Sequence, residues 1–203
     1  MKNLLSIVAL AGVSSVAAAN VYITEYMYSG ASGEFIEFTN TGAAAVDLAG
    51  WSFDDDSRLP GGFALSGILA AGESLVITEA DAASFRAAWG LSASVQVLGG
   101  VSNNLGRNDE INLFDAMGNL VDRLTYGDQT FAGTIRTQEV SANPGTLGAN
   151  DIFGWSASTV GDSFGSYLSS AGEIGNPGSY PIPAPGALAL VGLGGLMAGR
   201  RRR

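Results

Sequence analysis

From Val21 onward, apolar and polar positions alternate in short runs that turn-forming residues interrupt. Val21 to Tyr28 and Glu34 to Thr39 are rich in β-branched and aromatic residues, and Ser29-Gly30-Ala31-Ser32-Gly33 between them has the length and chemistry of a hairpin loop. A two-residue period in the second run places Glu34, Ile36 and Phe38 on one face and Phe35, Glu37 and Thr39 on the other. Further strands are predicted over Val46 to Phe53, Glu73 to Thr78, Val95 to Leu98, Glu110 to Asp115 and Leu120 to Tyr126, each bounded by Gly, Asn, Asp or Pro. Asp115-Ala116-Met117-Gly118-Asn119 supplies the residues a reversal needs, so Ile111 to Phe114 is expected to pair with Leu120 to Leu124. One helix breaks the series: Asp81 caps it, Ala82, Phe85 and Trp89 share a face, and Gly90 ends it. Residues 127 to 182 hold more Gly, Ser, Asn and Thr than strand formers, which predicts irregular packing with one or two edge strands. The pattern is that of an all-β chain, an antiparallel β-sandwich with one short helix, over residues 20–180.

The two ends follow a different pattern. Lys2, an apolar run from Leu4 to Val13 and the small residues Ala17 and Ala19 make residues 1–19 a secretory signal peptide, with cleavage expected between Ala19 and Asn20. The apolar run is too short for the roughly 20 residues that span a bilayer, which argues against an N-terminal anchor. Residues 181–203 place Pro181, Pro183 and Pro185 before an apolar, Gly-rich stretch, and Arg200, Arg201, Arg202 and Arg203 after it. A breaker, a hydrophobic sorting helix and a positive stop would hold the Arg cluster on the cytoplasmic side and the body outside. This order resembles the PEP-CTERM sorting signal that exosortases recognise in Gram-negative bacteria making exopolysaccharide, with Pro183-Ala184-Pro185 where that family has Pro-Glu-Pro. The resemblance implies export, transient insertion in the inner membrane, processing by signal peptidase and an exosortase-type enzyme, and delivery to the cell surface or beyond. The alternative is a plain C-terminal anchor.

The body carries a second resemblance. Ile23-Thr24-Glu25-Tyr26-Met27, the run Gly33 to Gly42, and Val46 to Asp55 with its Asp47-Leu48-Ala49-Gly50-Trp51 block are similar to the opening of a lamin-tail domain. The order continues through Leu69 to Ile77, Leu105 to Leu113, Asp115 to Tyr126 and Gly175-Asn176-Pro177-Gly178. The resemblance implies an immunoglobulin-like sandwich on an exported bacterial protein. It supplies no catalytic residue.

Composition narrows the chemistry further. The 203 residues include no Cys and no His, which excludes disulfides, thiol nucleophiles, His-based triads and Cys- or His-ligated metals. Five of the ten basic residues lie at the ends (Lys2 and the terminal Arg), so the region between them sets five basic residues against all 19 acidic ones, a net charge of −14. Such a surface repels a phosphate backbone, and nucleic acid is not expected as a partner. Carboxylates and hard, oxygen-ligated cations remain available.

Asp54-Asp55-Asp56 is the densest acidic cluster, and alternation lets Asp54 and Asp56 converge as candidate Ca²⁺ ligands; the competing expectation is a solvated turn beside Arg58. Glu25, Glu34 and Glu37 could serve a carboxylate-dependent hydrolase, but Glu34 and Glu37 fall on opposite faces, and Glu25, Glu37 and Asn40 are expected to satisfy groups inside the sandwich. Trp51 and Trp89 are expected in the core, leaving Trp155 as the candidate for stacking on a sugar. The function expected is that of a non-enzymatic, structural or adhesive surface or matrix protein, without catalytic residues or a required cofactor. Its expected partners are the processing enzymes and extracellular polysaccharide or surface proteins. A Ca²⁺-assisted carbohydrate-binding module of an exopolysaccharide matrix is the alternative, and a carboxylate hydrolase a weaker one.

Overall fold

The computed structural model describes residues 20–127 and 137–182. The expected signal peptide to Ala19, and the tail with Pro183, Ala184, Pro185 and Arg200 to Arg203, lie outside the described residues; Asn20 is the first described. The strands are β1 (Val21–Met27), β2 (Phe35–Asn40), β3 (Val46–Asp47), β4 (Ser52–Asp54), β5 (Phe63–Ala64), β6 (Ile68–Leu69) and β7 (Ser74–Thr78). Helix α1 (Ala82–Trp89) leads to β8 (Gln96–Leu98), β9 (Asn108–Phe114), β10 (Leu120–Gly127), β11 (Ala142–Pro144), a 3₁₀ turn (Ile152–Gly154), β12 (Trp155–Ala157), β13 (Tyr167–Leu168) and β14 (Ile174–Gly175). A six-stranded sheet runs in the order β12-β11-β1-β2-β7-β8 and a four-stranded sheet in the order β10-β9-β4-β5. Their facing side chains, among them Ile23, Tyr26, Ile36, Phe38, Leu75 and Ile77 from one sheet and Phe53, Ile111, Leu113, Leu124 and Tyr126 from the other, form the main core. This is an all-β, immunoglobulin-like sandwich.

The large sheet is covered on both faces, which explains why all six residues of β2 are buried. Ile36 and Phe38 enter the main core. Phe35 turns outward onto a second apolar cluster with Met27, Val76, Phe85 and Trp89. Asp81 starts α1 by accepting the N–H groups of Ala83 (2.9 Å) and Ser84 (3.1 Å), and Gly90 ends it at φ +63°. Phe85 and Trp89 then meet Phe35 edge-on, with ring centroids 5.4 and 5.8 Å away. Because α1 carries the chain from β7 across to β8, those two strands run parallel, whereas the other strand pairs in the sheets are antiparallel.

Two details depart from the pattern. The run Val46 to Phe53 is not one strand: β3 pairs with β6 and β4 joins the four-stranded sheet. Asp47 accepts the Ala49 N–H at 2.9 Å, Trp51 N–H donates to Leu48 O, and Gly50 takes φ +81°, so the chain turns between them. Residues 137–182 are also more ordered than their composition predicts. β11 pairs with β1 at Tyr26 and Ala142, β12 extends the sheet beyond it, and β13 with β14 forms a ribbon. These strands, Ala-Asn-Pro, Trp-Ser-Ala, Tyr-Leu and Ile-Gly, are two or three residues long, so their pairing is decided by tertiary partners rather than by propensity.

Candidate functional site

A bulge in β1 creates a buried polar cluster on the outer face of the large sheet. Ile23 stands opposite Phe38, yet Glu25 stands opposite Glu37, so Thr24 is the extra residue. Regular alternation would send Glu25 into the main core with Val21 and Ile23. The bulge reverses the phase instead, so that Tyr26 joins the core and Glu25 shares the outer face of the sheet with Glu37.

Both carboxyls are fully buried. Glu25 Oε1 accepts the Ser141 hydroxyl and the Asn176 N–H (2.7 Å), while its Oε2 is buried with no hydrogen-bond partner. Glu37 Oε1 accepts the hydroxyls of Thr24 (2.7 Å) and Thr39 (3.1 Å), and Oε2 accepts the Gly178 N–H. The network spreads from Thr39 to Ser74, from Ser141 to Ser158, and from Ser158 to Asn143, whose amide reaches Thr24 O at 3.1 Å. Burial raises both carboxyls above the ordinary Glu range, and for Glu25 the neighbouring Glu37 raises it further.

The cover over this face is a strap formed by residues 159–180. Asp162 organises its first turn by accepting the N–H groups of Thr159, Phe164 and Ser166. Tyr167 O–H donates to Trp89 O at 2.9 Å and Ser170 N–H to Ala88 O at 2.8 Å, so the strap also satisfies carbonyls at the end of α1. Glu173, fully buried, accepts Ser32 N–H and Ser169 Oγ–H at 2.7 Å each, tying the strap to the β1–β2 loop. Gly175 is required by close approach: a Cβ there would come within 2.7 Å of Glu25 Oε1 and 3.1 Å of the Trp89 ring.

The remaining sequence-derived candidates fall elsewhere. Asp54 and Asp56 differ in setting. Asp54 is buried and its two oxygens accept Ser57 Oγ–H (2.7 Å) and Arg58 N–H (2.6 Å), whereas Asp56 is exposed. Among the described residues no group of three or more acidic side chains is placed to hold a metal ion. Asp56 lines an open depression with Arg58, Asp109, Glu110 and Thr125. There Arg58 pairs with Glu110 and holds its carboxyl down at about 2. Glu34, away from the outer pair, accepts Leu105 N–H at 2.8 Å, and burial pushes it up to about 8. Asn40 satisfies backbone as expected, donating to Ala44, Leu69 and Ala70 carbonyls. Trp155 is not a surface platform. It is 7% exposed and meets Tyr26 edge-on at 5.4 Å, while the exposed ring beside it is Phe153. Of the three residues of β12 only Trp155 is buried, drawn inward where the strand pairs with Pro144, which its local sequence does not signal.

Sequence reasoning missed Asn143, Glu173 and the inward-facing Asp122. One signal was available: Asn-Pro-Gly occurs at 143–145 and again at 176–178, and both Asn side chains are buried in this network. With both Glu25 and Glu37 sealed from solvent, the pair is placed to organise the fold rather than to meet a substrate.

An immunoglobulin-like sandwich whose buried acids bind its own backbone is a structural or binding module. The chain belongs to the lamin tail domain family: the Lamin Tail Domain model matches residues 14–128. A comparison with curated proteins gives no match. The sandwich continues past the matched segment, since β11, β12 and the strap complete the large sheet and its cover. Among the described residues no helix is long and apolar enough to cross a membrane.

Proposed function

We propose that this chain is an exported, non-enzymatic protein of the cell surface or extracellular matrix, in which the lamin-tail sandwich acts as a structural or adhesive module. The internal use of its carboxyls carries the reading. Glu25, Glu37 and Asp54 accept hydrogen bonds from the chain's own backbone and hydroxyl groups, which makes them parts of the scaffold. The address rests on the two ends: signal peptidase cuts between Ala19 and Asn20, and an exosortase-type enzyme acts at Pro183-Ala184-Pro185 while the apolar tail sits in the inner membrane and Arg200 to Arg203 hold it there. Once outside, the acidic body meets extracellular polysaccharide or other surface proteins, without a required cofactor.

Intact-mass measurement of protein recovered from the cell surface tests the address. The expected product lacks Met1 to Ala19 and the residues beyond the Pro motif. Replacing Arg200 to Arg203 by Ser should leave the tail unprocessed. A wild-type surface form retaining Pro185 to Arg203 would exchange this reading for plain anchoring. A glycan array with and without chelator tests the module itself, and Ca²⁺-dependent glycan binding would make it a carbohydrate-binding module instead.

A further inference from the structure

We propose that Glu25 and Glu37 hold one proton between them and that this proton locks the strap of residues 159–180 onto the sheet. The geometry behind this is the phase change at Thr24, which sets two carboxyls directly opposite each other on neighbouring strands, both fully buried. Cross-strand partners on one face lie within about 5.5 Å at Cβ, so two ionised carboxyls there would repel each other in a medium that screens poorly. Among the described residues no Lys or Arg is a hydrogen-bond partner of either acid. Among the described residues the charged group that acts on the pair from the elements packed against it, Asp162, deepens the bias, while the hydroxyl and N–H donors to the two carboxyls oppose it and are outweighed by burial. The strap brings Asp162, whose charge acts on Glu25, and the phenols Tyr167 and Tyr180. β11 and β12 with the residues beside them bring Ser141, Asn143 and Ser158, β7 brings Ser74, and α1 brings the uncharged Trp89 ring.

The strap grips this pair through its backbone. Asn176 N–H goes to Glu25 and Gly178 N–H to Glu37, with Pro177, which has no N–H, bridging between them. One ionised carboxyl accepting these donors is favourable; two are not. With one proton kept, the unpartnered Glu25 Oε2 is the natural place for it. When the strap lifts, water reaches both acids, their proton affinity falls to the ordinary range, and the proton leaves to solvent. Opening is therefore linked to release of one proton.

Hydrogen exchange on the full chain tests the lock. Above the ordinary carboxyl range the opening constant read from the Asn176 and Gly178 amides should rise about tenfold per pH unit, the slope that one released proton imposes, until the native carboxyl itself ionises. Tyr167, held up at about 12, does not titrate in that window. Glu25→Gln or Glu37→Gln should remove the slope and keep the strap closed at the alkaline end. Glu34→Gln, which removes the other raised Glu, should leave the strap slope intact. Infrared spectra at neutral pH should show a protonated-carboxyl band that Glu25→Gln or Glu37→Gln abolishes and Glu34→Gln does not. Strap protection independent of pH would overturn the proposal, as would absence of that band. Alkaline opening that millimolar Ca²⁺ reverses would assign the pair to a cation instead.

Discussion

The Ile23 N–H donates to Asp122 Oδ2 across the two sheets at 2.9 Å. Ile23 sits just before the β1 bulge, and Asp122 follows the irregularity in β10 between Leu120 and Asp122, so two broken ladders are joined by one buried carboxylate. Asp122→Ala should leave a buried N–H without an acceptor and cost about 1–3 kcal/mol in denaturant melts. Asp122→Asn keeps an acceptor oxygen and should lose less. Equal stability of the alanine variant and the parent would show that the two bulges do not depend on each other.

Trp51 and Trp155 should behave alike. They are 5% and 7% exposed, and each contributes to the main core. Replacing either by Ala removes a buried aromatic and leaves a cavity, at a cost of about 3–5 kcal/mol. A Trp155→Ala variant as stable as the parent would return that ring to the surface.

How much of this was legible depended on whether local pattern or a distant partner decided each element. Alternation in Phe35 to Asn40 located β2 and its two faces, and Asp81 with Gly90 bracketed α1, because those signals act within a few residues. The bulge at Thr24 was not legible: Val21 to Met27 alternates without a Gly or Pro to mark an insertion, and its phase is set by β2 and Asp122. Glu25 and Glu37 were expected to satisfy groups inside the sandwich, and they do, through hydroxyls and strap amides. Their mutual pairing needs the register of two strands. The strap escaped because Ser, Gly and Asn there are ordered by contacts with α1 and β1 far away in sequence.

Glu34 should give the sandwich an alkaline weakness. Its native value of about 8 lies above the ordinary 4.5, so the folded state holds a proton that the unfolded state has released. Stability from this group is complete below about pH 4.5 and declines as pH rises toward about 8, beyond which the loss levels off. Glu34→Gln should flatten that part of a plot of melting temperature against pH. An unchanged slope in the variant would mean Glu34 is ionised in the native protein.

Glu110 has the opposite sign. Arg58 holds it at about 2, so its contribution is present above the ordinary carboxyl value and disappears as pH falls from about 4.5 toward 2. Arg58 is largely solvated, with its side chain 57% exposed, so screening keeps the contribution small. Glu110→Gln should shift the acid unfolding midpoint slightly upward in low salt and leave the alkaline limb unchanged. A shift as large in high salt as in low salt would contradict a screened surface pair.

Cations distinguish a passive acidic surface from a specific site. Asp54 spends both oxygens on Ser57 and Arg58, so a bound ion would have to displace the donors that shape its loop. General screening of a body with five basic and 19 acidic residues requires no such displacement and does not depend on which carboxylates remain. A true site would instead add stability by mass action, about 2.7 kcal/mol at a hundredfold excess over Kd. Millimolar Ca²⁺ and Mg²⁺ should therefore raise the melting temperature by similar, small amounts. Asp56→Asn, which leaves the Asp54 loop intact, should keep that response, and Asp54→Asn should lower the starting stability without removing the response. A large Ca²⁺-selective increase that Asp56→Asn abolishes would overturn the passive surface and establish a cation site in this loop.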